Sequence, residues 1–199
     1  MSKLHFRYGA MNSGKTTVLM QVAHNYKERD MNVLVLKPGI DTKGNDQIVS
    51  RLGITKQVDF LIKKEDNLLN KIGNSLNDLN CILVDEAQFM TKEQIDDLWV
   101  ITKMYNIPVI CYGLRSDFMT NVFPGSLRLF EVADQLEELV TICRCGSKAK
   151  FNGRKVNGVF VNEGDQVAID EENSVTYESL CGTCYLEKVQ GKQLVKSIK

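Results

Sequence analysis

An excess of charge of one sign is missing from this chain, whose 25 Lys and Arg are matched by 25 Asp and Glu. That balance excludes a protein whose main work is coating nucleic acid or an anionic membrane, because such work needs a basic surplus. A long apolar run is missing too. The longest stretch, Ile107 to Leu114, includes Pro108 and Gly113 and still falls far short of the ~20 residues a spanning helix requires. The opening Met1-Ser2-Lys3-Leu4-His5-Phe6 lacks a charged-then-apolar signal layout, and the chain contains no internal repeat or low-complexity tract. These absences lead us to expect a soluble, cytoplasmic protein with no membrane and no nucleic-acid partner.

What is present suits a globular protein. The chain has 199 residues, 43% hydrophobic and 25% charged, enough to bury a core in one domain with a small appendage. From residue 3 to about 142, strand-like runs alternate with amphipathic helical segments. Strands are expected at Leu4–Tyr8, Val33–Leu36, Val58–Ile62, Cys81–Val84 and Pro108–Tyr112. Helices are expected from Lys15 to about Arg29, from about Glu65 to Leu76, and from a Thr91-x-x-Gln94 capping box to about Tyr105. This alternation predicts crossover connections and an α/β fold with a mainly parallel sheet covered by helices. Beyond that, Phe151 to Tyr177 is rich in Gly, Asn and Asp and reads as a long loop or loose hairpin. The boundary is drawn near residue 141, giving domains 1–141 and 142–199.

Two elements carry nucleotide chemistry. Gly9-Ala10-Met11-Asn12-Ser13-Gly14-Lys15-Thr16 fits G-x-x-x-x-G-K-[ST] at every fixed position, after a strand and before a helix. Successive backbone N–H groups and the helix N-terminus face an anion there, Lys15 adds charge at the β- and γ-phosphates, and Thr16 offers a hydroxyl to Mg²⁺. Downstream, the apolar run Cys81-Ile82-Leu83-Val84 ends in Asp85-Glu86-Ala87-Gln88. A parallel sheet presents ligand-binding groups at such strand ends. Asp85 is the natural Mg²⁺ partner, and Glu86 is the candidate base for a hydroxyl or water. The tetrad also resembles that of helicases, so by itself it leaves open substrate phosphorylation and ATP hydrolysis.

Six cysteines divide by context. Cys81 and Cys111 sit in apolar runs and read as core residues. Cys143-x-Cys145 and Cys181-x-x-Cys184 flank 35 residues and read as a four-thiolate structural Zn²⁺ site, with redox thiols or unrelated surface cysteines as the other readings. Zinc would fix both ends of a segment with too little apolar content to hold itself.

Taken together, these features resemble the zinc-containing thymidine kinases of cells and many bacteria, a class distinct from the herpesvirus enzymes. The resemblance spans essentially the whole chain. It rests on the phosphate loop, Asp85-Glu86-Ala87-Gln88-Phe89, Tyr112-Gly113-Leu114-Arg115-Ser116-Asp117-Phe118, and the cysteine pairs around a loop containing Tyr177. It implies a P-loop NTPase-like (RecA-like) α/β domain, plus a small C-terminal zinc-bearing "lasso" domain. It also implies transfer of the ATP γ-phosphoryl group to the 5′-hydroxyl of thymidine in nucleotide salvage for DNA synthesis, with deoxyuridine as a second substrate. By position, Glu86 becomes the base, and Asp85 and Thr16 organise Mg²⁺. Ala87 and Gln88 join residues 9–16 at ATP. Met11, Phe89, Leu114, Phe118 and Phe123 enclose thymine, Tyr177 covers the nucleoside, and Arg154 lies near the transfer region. Taken singly, Phe89, Phe118 and Phe123 read first as core residues, and only their positions beside the motifs favour a functional role. A homotetramer and feedback inhibition by dTTP are further implications.

Two departures stand out. Asp41-Thr42-Lys43 replaces the family's D-x-R, exchanging a planar fork for a point charge. Ile169 to Tyr177 lacks the usual Gly-Gly pair, which makes positive φ harder to adopt there. The rival readings are a single-domain P-loop ATPase acting on nucleic acid and a zinc-ribbon binding module with ATP as a structural ligand.

Overall fold

A computed structural model describes residues 1–39, 47–50, 53, 55–166 and 174–193. Asp41-Thr42-Lys43 and residues 169–173, which carry the two departures, lie outside the described residues. The chain divides into two compact units. The first comprises Met1–Tyr8, Gly14–Arg115 and Phe123–Leu139, and the second Gly9–Ser13, Ser116–Val122 and Val140–Lys199.

The first unit runs β1 (Leu4–Gly9), α1 (Lys15–Lys27), β2 (Val33–Pro38), β3 (Gln47–Val49), β4 (Thr55–Gln57), β5 (Phe60–Ile62), α2 (Leu68–Ile72), β6 (Cys81–Val84), α3 (Lys92–Met104), β7 (Val109–Leu114), α4 (Pro124–Val132) and β8 (Gln135–Glu138). Its six-stranded sheet has the order β5-β2-β6-β7-β1-β8. Neighbours β5–β2, β2–β6, β6–β7 and β1–β8 pair in parallel. Strand β7 therefore separates the strand leading to the phosphate loop from the strand that Asp85 follows.

Side-chain alternation sorts the core into two layers. Leu34, Leu36, Ile82 and Val84 pack with Leu68, Ile95, Leu98 and Leu129 from α2, α3 and α4. Val35, Cys81, Leu83 and Tyr112 pack with Leu19, Met20 and Ala23 of α1. Because helices cover both faces, β6 is buried at all four positions, matching its unbroken apolar run. Cys81 and Cys111 are core residues, and burial pushes both thiols well above the ordinary range.

The Thr91–Gln94 capping box forms as expected, with Thr91 accepting from the Gln94 N–H and Gln94 accepting from the Thr91 N–H. Several elements differ from expectation. The helix expected over 65–76 is a single α-turn, Leu68–Ile72, capped by Asn67, that tightens into a 3-10 segment at Gly73–Asp78. Gly73, Asn74 and Ser75 are weak helix formers, which favours the shorter form. The strand expected at Val58 begins at Phe60, and a β3–β4 hairpin precedes it. Helix α4 and edge strand β8 were not anticipated.

The second unit contains β9 (Thr141–Ile142), β10 (Lys148–Ala149), β11 (Phe151–Val156), β12 (Val159–Val161), β13 (Val175–Leu180) and α5 (Gly182–Lys188). The region read as a loop or loose hairpin is an antiparallel sheet of order β12-β11-β13. Asn157 (φ 51°) and Gly158 (φ 84°) form the tight β11–β12 turn, the left-handed pair that an Asn-Gly dipeptide adopts readily. Among the described residues, its C-terminal core cluster has seven buried members, three of which are cysteines: Cys143, Cys181 and Cys184. Apolar burial alone is therefore a modest source of stability here. Among the described residues of both units, no helix is long and apolar enough to cross a membrane.

Candidate active site

Helix α1 begins without a side-chain cap. Gly14 occupies its N-cap position in the left-handed region, φ 77°, and Asn12 two residues earlier has φ 63°. This pair of left-handed residues turns the backbone of 9–16 into a concave wrap of N–H groups suited to phosphate oxygens. Lys15 is buried at the first turn. In the second unit, the first half of the wrap is tied down at both ends of one residue. The Met11 N–H donates to Asn152 Oδ1 at 2.8 Å, and the Met11 carbonyl accepts from Ser179 Oγ at 2.5 Å.

In the first unit, Thr16 Oγ1 stands 3.4 Å from Asp85 Oδ2. Asp85 follows the last residue of β6, and its N–H donates to the Leu36 carbonyl of β2 at 3.0 Å. Burial, and then the neighbouring Glu86 carboxylate, push the Asp85 carboxyl up to about 8, against the opposing pull of Lys15 and Lys37. Lys37 is a residue that sequence reasoning passed over as a strand end. It is buried and donates from Nζ to the Gln47 carbonyl at 3.1 Å. A lysine inside an otherwise apolar strand was the available signal.

Glu86 is half-buried and adopts a left-handed conformation, φ 50° and ψ 37°. A non-glycine residue held there costs about 1 kcal/mol or more and persists only when its surroundings over-determine it. Three buried groups do so. Gln88 donates from Nε2 to Glu86 Oε2 at 2.6 Å and accepts from the Leu114 N–H at Oε1, 3.0 Å. The Leu114 carbonyl accepts from Ser126 Oγ of α4 at 2.6 Å. Gly125 lets α4 approach so closely that an added Cβ would lie 2.4 Å from the Ala87 carbonyl. Beside this cluster Phe89 and Phe123 meet edge to face, centroids 5.5 Å apart, while Leu114 closes β7. Thus Lys15, Thr16, Asp85, Glu86, Ala87, Gln88, Phe89, Leu114 and Phe123 all belong to the first unit.

Met11, Phe118, Arg154 and Tyr177 belong to the second unit. Arg154 and Tyr177 face each other across β11 and β13. The Arg154 guanidinium lies over the buried Phe118 ring at 3.7 Å, and its Nε donates to the Tyr177 hydroxyl at 3.1 Å. Its NH2 group donates to the Gln166 carbonyl at 3.1 Å. Gln166 in turn donates to Asp117 Oδ2, whose other oxygen accepts the Met119 and Asn121 N–H groups. Arg154 is only 4% exposed, so the structure makes it a tie within this unit. Sequence reasoning missed Asn152, Ser179, Asp117 and Gln166, because each is recruited by pairing distant in the chain. Tyr177 also lines a polar cavity of about 330 Å³ with Asn12, Arg144 and Lys155.

Cys143, Cys145, Cys181 and Cys184 bring their sulfurs within 4.8 Å of one another, a cluster able to hold a metal ion. Two knuckles shape it. The Gly146 N–H donates to the Cys143 carbonyl with Gly146 at φ 89°, and the Cys184 N–H donates to Cys181 Sγ at 3.4 Å. A hydrogen bond from the Ser147 backbone, then others from the Ser147 side chain and neighbouring thiols, pull the Cys145 thiol down to about 6. Hydrogen bonds with Cys145, Cys181 and Cys143 push the Cys184 thiol the other way, up to about 12, so within the cluster the surroundings favour a thiolate at Cys145. Nearby, Glu178 binds Lys155 at 2.5 Å, with Arg144 and Lys188 each at 3.6 Å. The Lys155 bond, foremost, holds its carboxyl below the usual range.

The thymidine kinase family model matches residues 2–185. The chain belongs to the thymidine kinase family. It is 46% identical to "Thymidine kinase" of Haemophilus influenzae over 94% of this chain and 98% of that one. The corresponding protein of Pasteurella multocida is 47% identical, covering 95% and 99%, and that of Enterobacteria phage T4 is 45% identical, covering 91% and 95%. This family relation favours a kinase over a nucleic-acid ATPase, a choice the Asp-Glu-Ala-Gln tetrad alone left open.

Proposed function

We propose that this protein transfers the γ-phosphoryl group of ATP to the 5′-hydroxyl of thymidine, giving dTMP and ADP. The observation that carries the reading is a held carboxylate, Glu86, next to the Thr16–Asp85 pair in a chain of the thymidine kinase family. The residue 9–16 wrap and Lys15 bind the triphosphate. Glu86 accepts the hydroxyl proton as the sugar oxygen bonds to phosphorus and the bridging bond to ADP breaks in line. Oxygens about 3.0 Å apart suit two adjacent positions around Mg²⁺, so the 3.4 Å Thr16–Asp85 separation fits that ion directly or through water. When bound, Mg²⁺ would neutralise charge on the transferring phosphates.

Within the first unit, Phe89, Leu114 and Phe123 supply apolar surface for a flat base. Arg154 serves by holding Tyr177. Regular tetrahedral Zn²⁺ with bonds of about 2.3 Å needs sulfurs roughly 3.8 Å apart. The 3.6 Å Cys145–Cys181 separation fits, and Cys143, Cys145, Cys181 and Cys184 would hold the ion in a structural rather than catalytic role. The same family relation leads us to a cytoplasmic homotetramer inhibited by dTTP, with deoxyuridine as a second substrate. Sedimentation, inhibition and substrate-panel assays test these points.

The deciding experiment is a coupled ADP-release assay across a panel of nucleosides. Thymidine should stimulate turnover, and Glu86→Gln should lower kcat by roughly 10²–10⁴-fold. Turnover driven by single-stranded DNA without any response to thymidine would instead favour the ATPase reading.

A further inference from the structure

We propose that Gln88 is a positioning residue for Glu86: its side-chain amide is a bridge that ties the reacting carboxylate to the backbone of β7. The proposal rests on the reading of Glu86 as the base and deepens it. The family resemblance implies that Gln88 meets ATP, yet the residue is 1% exposed and both ends of its amide are engaged within the protein.

The chemistry of the two bonds fixes the orientation. A carboxylate can only accept, and the Leu114 N–H can only donate. Nε2 must therefore face Glu86 and Oε1 must face Leu114, so a flipped amide would lose both bonds. The Glu86 contact, at 2.6 Å, is the shorter of the two. Holding Oε2 leaves the opposite carboxylate oxygen to meet a substrate hydroxyl.

The surroundings are built around this bridge. Gly113 does not need left-handed backbone, so its lack of a side chain answers to space. A Cβ there would lie 2.9 Å from Gln88 Oε1 and 3.2 Å from Gln88 N. Ser126 secures the Leu114 carbonyl, and the left-handed turn at Glu86 brings residues 86 and 88 onto one side. A base held this way loses little orientational freedom before reaction, which lowers the barrier without adding substrate affinity.

The test is a double-mutant cycle on the full chain, reading kcat and the KM values for thymidine and ATP. Gln88→Met keeps the volume and removes both bonds. It should lower kcat by about 10–50-fold and leave both KM values within about threefold. Gly113→Ala, which crowds the amide without altering it, should shift kcat the same way by about 3–10-fold and covers the case in which Gln88→Met fails to fold. In a Glu86→Ala background either change should cost less than about twofold more, because the group it positions is gone. A full additive loss in that background would overturn the proposal. So would a raised KM for ATP with kcat preserved, the mark of a nucleotide contact. If Glu86→Ala is crippled but Gln88→Met is normal, the positioning role alone falls. If Glu86→Ala turns over normally, the base reading falls and takes this role with it.

Discussion

In the first unit, Asp85 and Glu86 follow a strand buried at every position and pinned by strands on both sides. In the second, Arg154 and Tyr177 face each other in a sheet of three short strands whose small core is rich in cysteine. Both arrangements hold polar side chains in set orientations, but by different means. The first uses depth: large apolar burial surrounds a few polar groups, each given a specific partner. The second uses ties: a metal-binding cluster, the Glu178 charge group, and the stacking of Arg154 on Phe118. Depth suits carboxylates that must not move during phosphoryl transfer. Ties suit a small unit whose apolar core is too slight to hold polar side chains by burial alone.

Metal removal would break this contrast most sharply. Binding in small zinc domains is worth roughly 10–16 kcal/mol, so chelation should abolish thymidine turnover and the ordered tyrosine signal of Tyr177 and Tyr185. Trp99, the only tryptophan, lies on α3 of the first unit, and its emission should stay native. Metal analysis should return about one zinc per chain. Emission that collapses along with activity would show that the first unit depends on the second. A second unit that survives chelation would remove the metal from its stability.

A matched pair of glycine substitutions sharpens the comparison at smaller scale. At Gly125 a new Cβ meets backbone oxygens, those of Ala87 at 2.4 Å and Met90 at 2.8 Å. At Gly153 it meets side-chain ends, Phe160 Cε1 at 2.7 Å and Leu180 Cδ1 at 2.8 Å. Backbone yields less than rotatable side chains. Gly125→Ala should therefore cost about 3 kcal/mol or more and Gly153→Ala about 1–2 kcal/mol, measured by denaturant unfolding. The reverse order would mean that the first unit is the more forgiving of the two.

The smallest expected effect is a gain. Burial raises the Asp85 carboxyl above its unfolded value, so the folded chain holds a proton that the unfolded chain releases between about pH 4 and 8. Stability from this group is present at low pH and is lost as pH rises through that window. Without nucleotide, Asp85→Asn should raise Tm by about 2–5 °C at pH 8 and by less at pH 5, while turnover is lost. A lower Tm at pH 8 would show that the ionised carboxylate is well accommodated after all.

The parts legible in the sequence are those written in contiguous residues. The phosphate loop, the capping box at Thr91, the buried run of β6 and the two cysteine pairs each depend on spacing within a few residues. Strand β8 escaped because Gln-Leu-Glu-Glu on an exposed edge shows no alternation. The β11–β12 hairpin was within reach, since Asn157-Gly158 between valines is a turn signal that composition obscured. Arg154 was located near transfer chemistry, yet its cation is spent on Phe118, Tyr177 and Gln166, residues up to 36 positions away.

By itself, then, the order of residues determined the strand–loop–helix cradle, the acidic strand end, the sulfur ligands and the family, because backbone preference and local spacing suffice for each. Tertiary structure alone decided that Gln88 faces Glu86 and Leu114, that Met11 is held by Asn152 and Ser179, and that Gly113 and Gly125 must be small. Those facts depend on which surfaces meet once strands pair and helices dock. A hydrogen bond or a steric limit between distant residues leaves no periodicity for the chain to display.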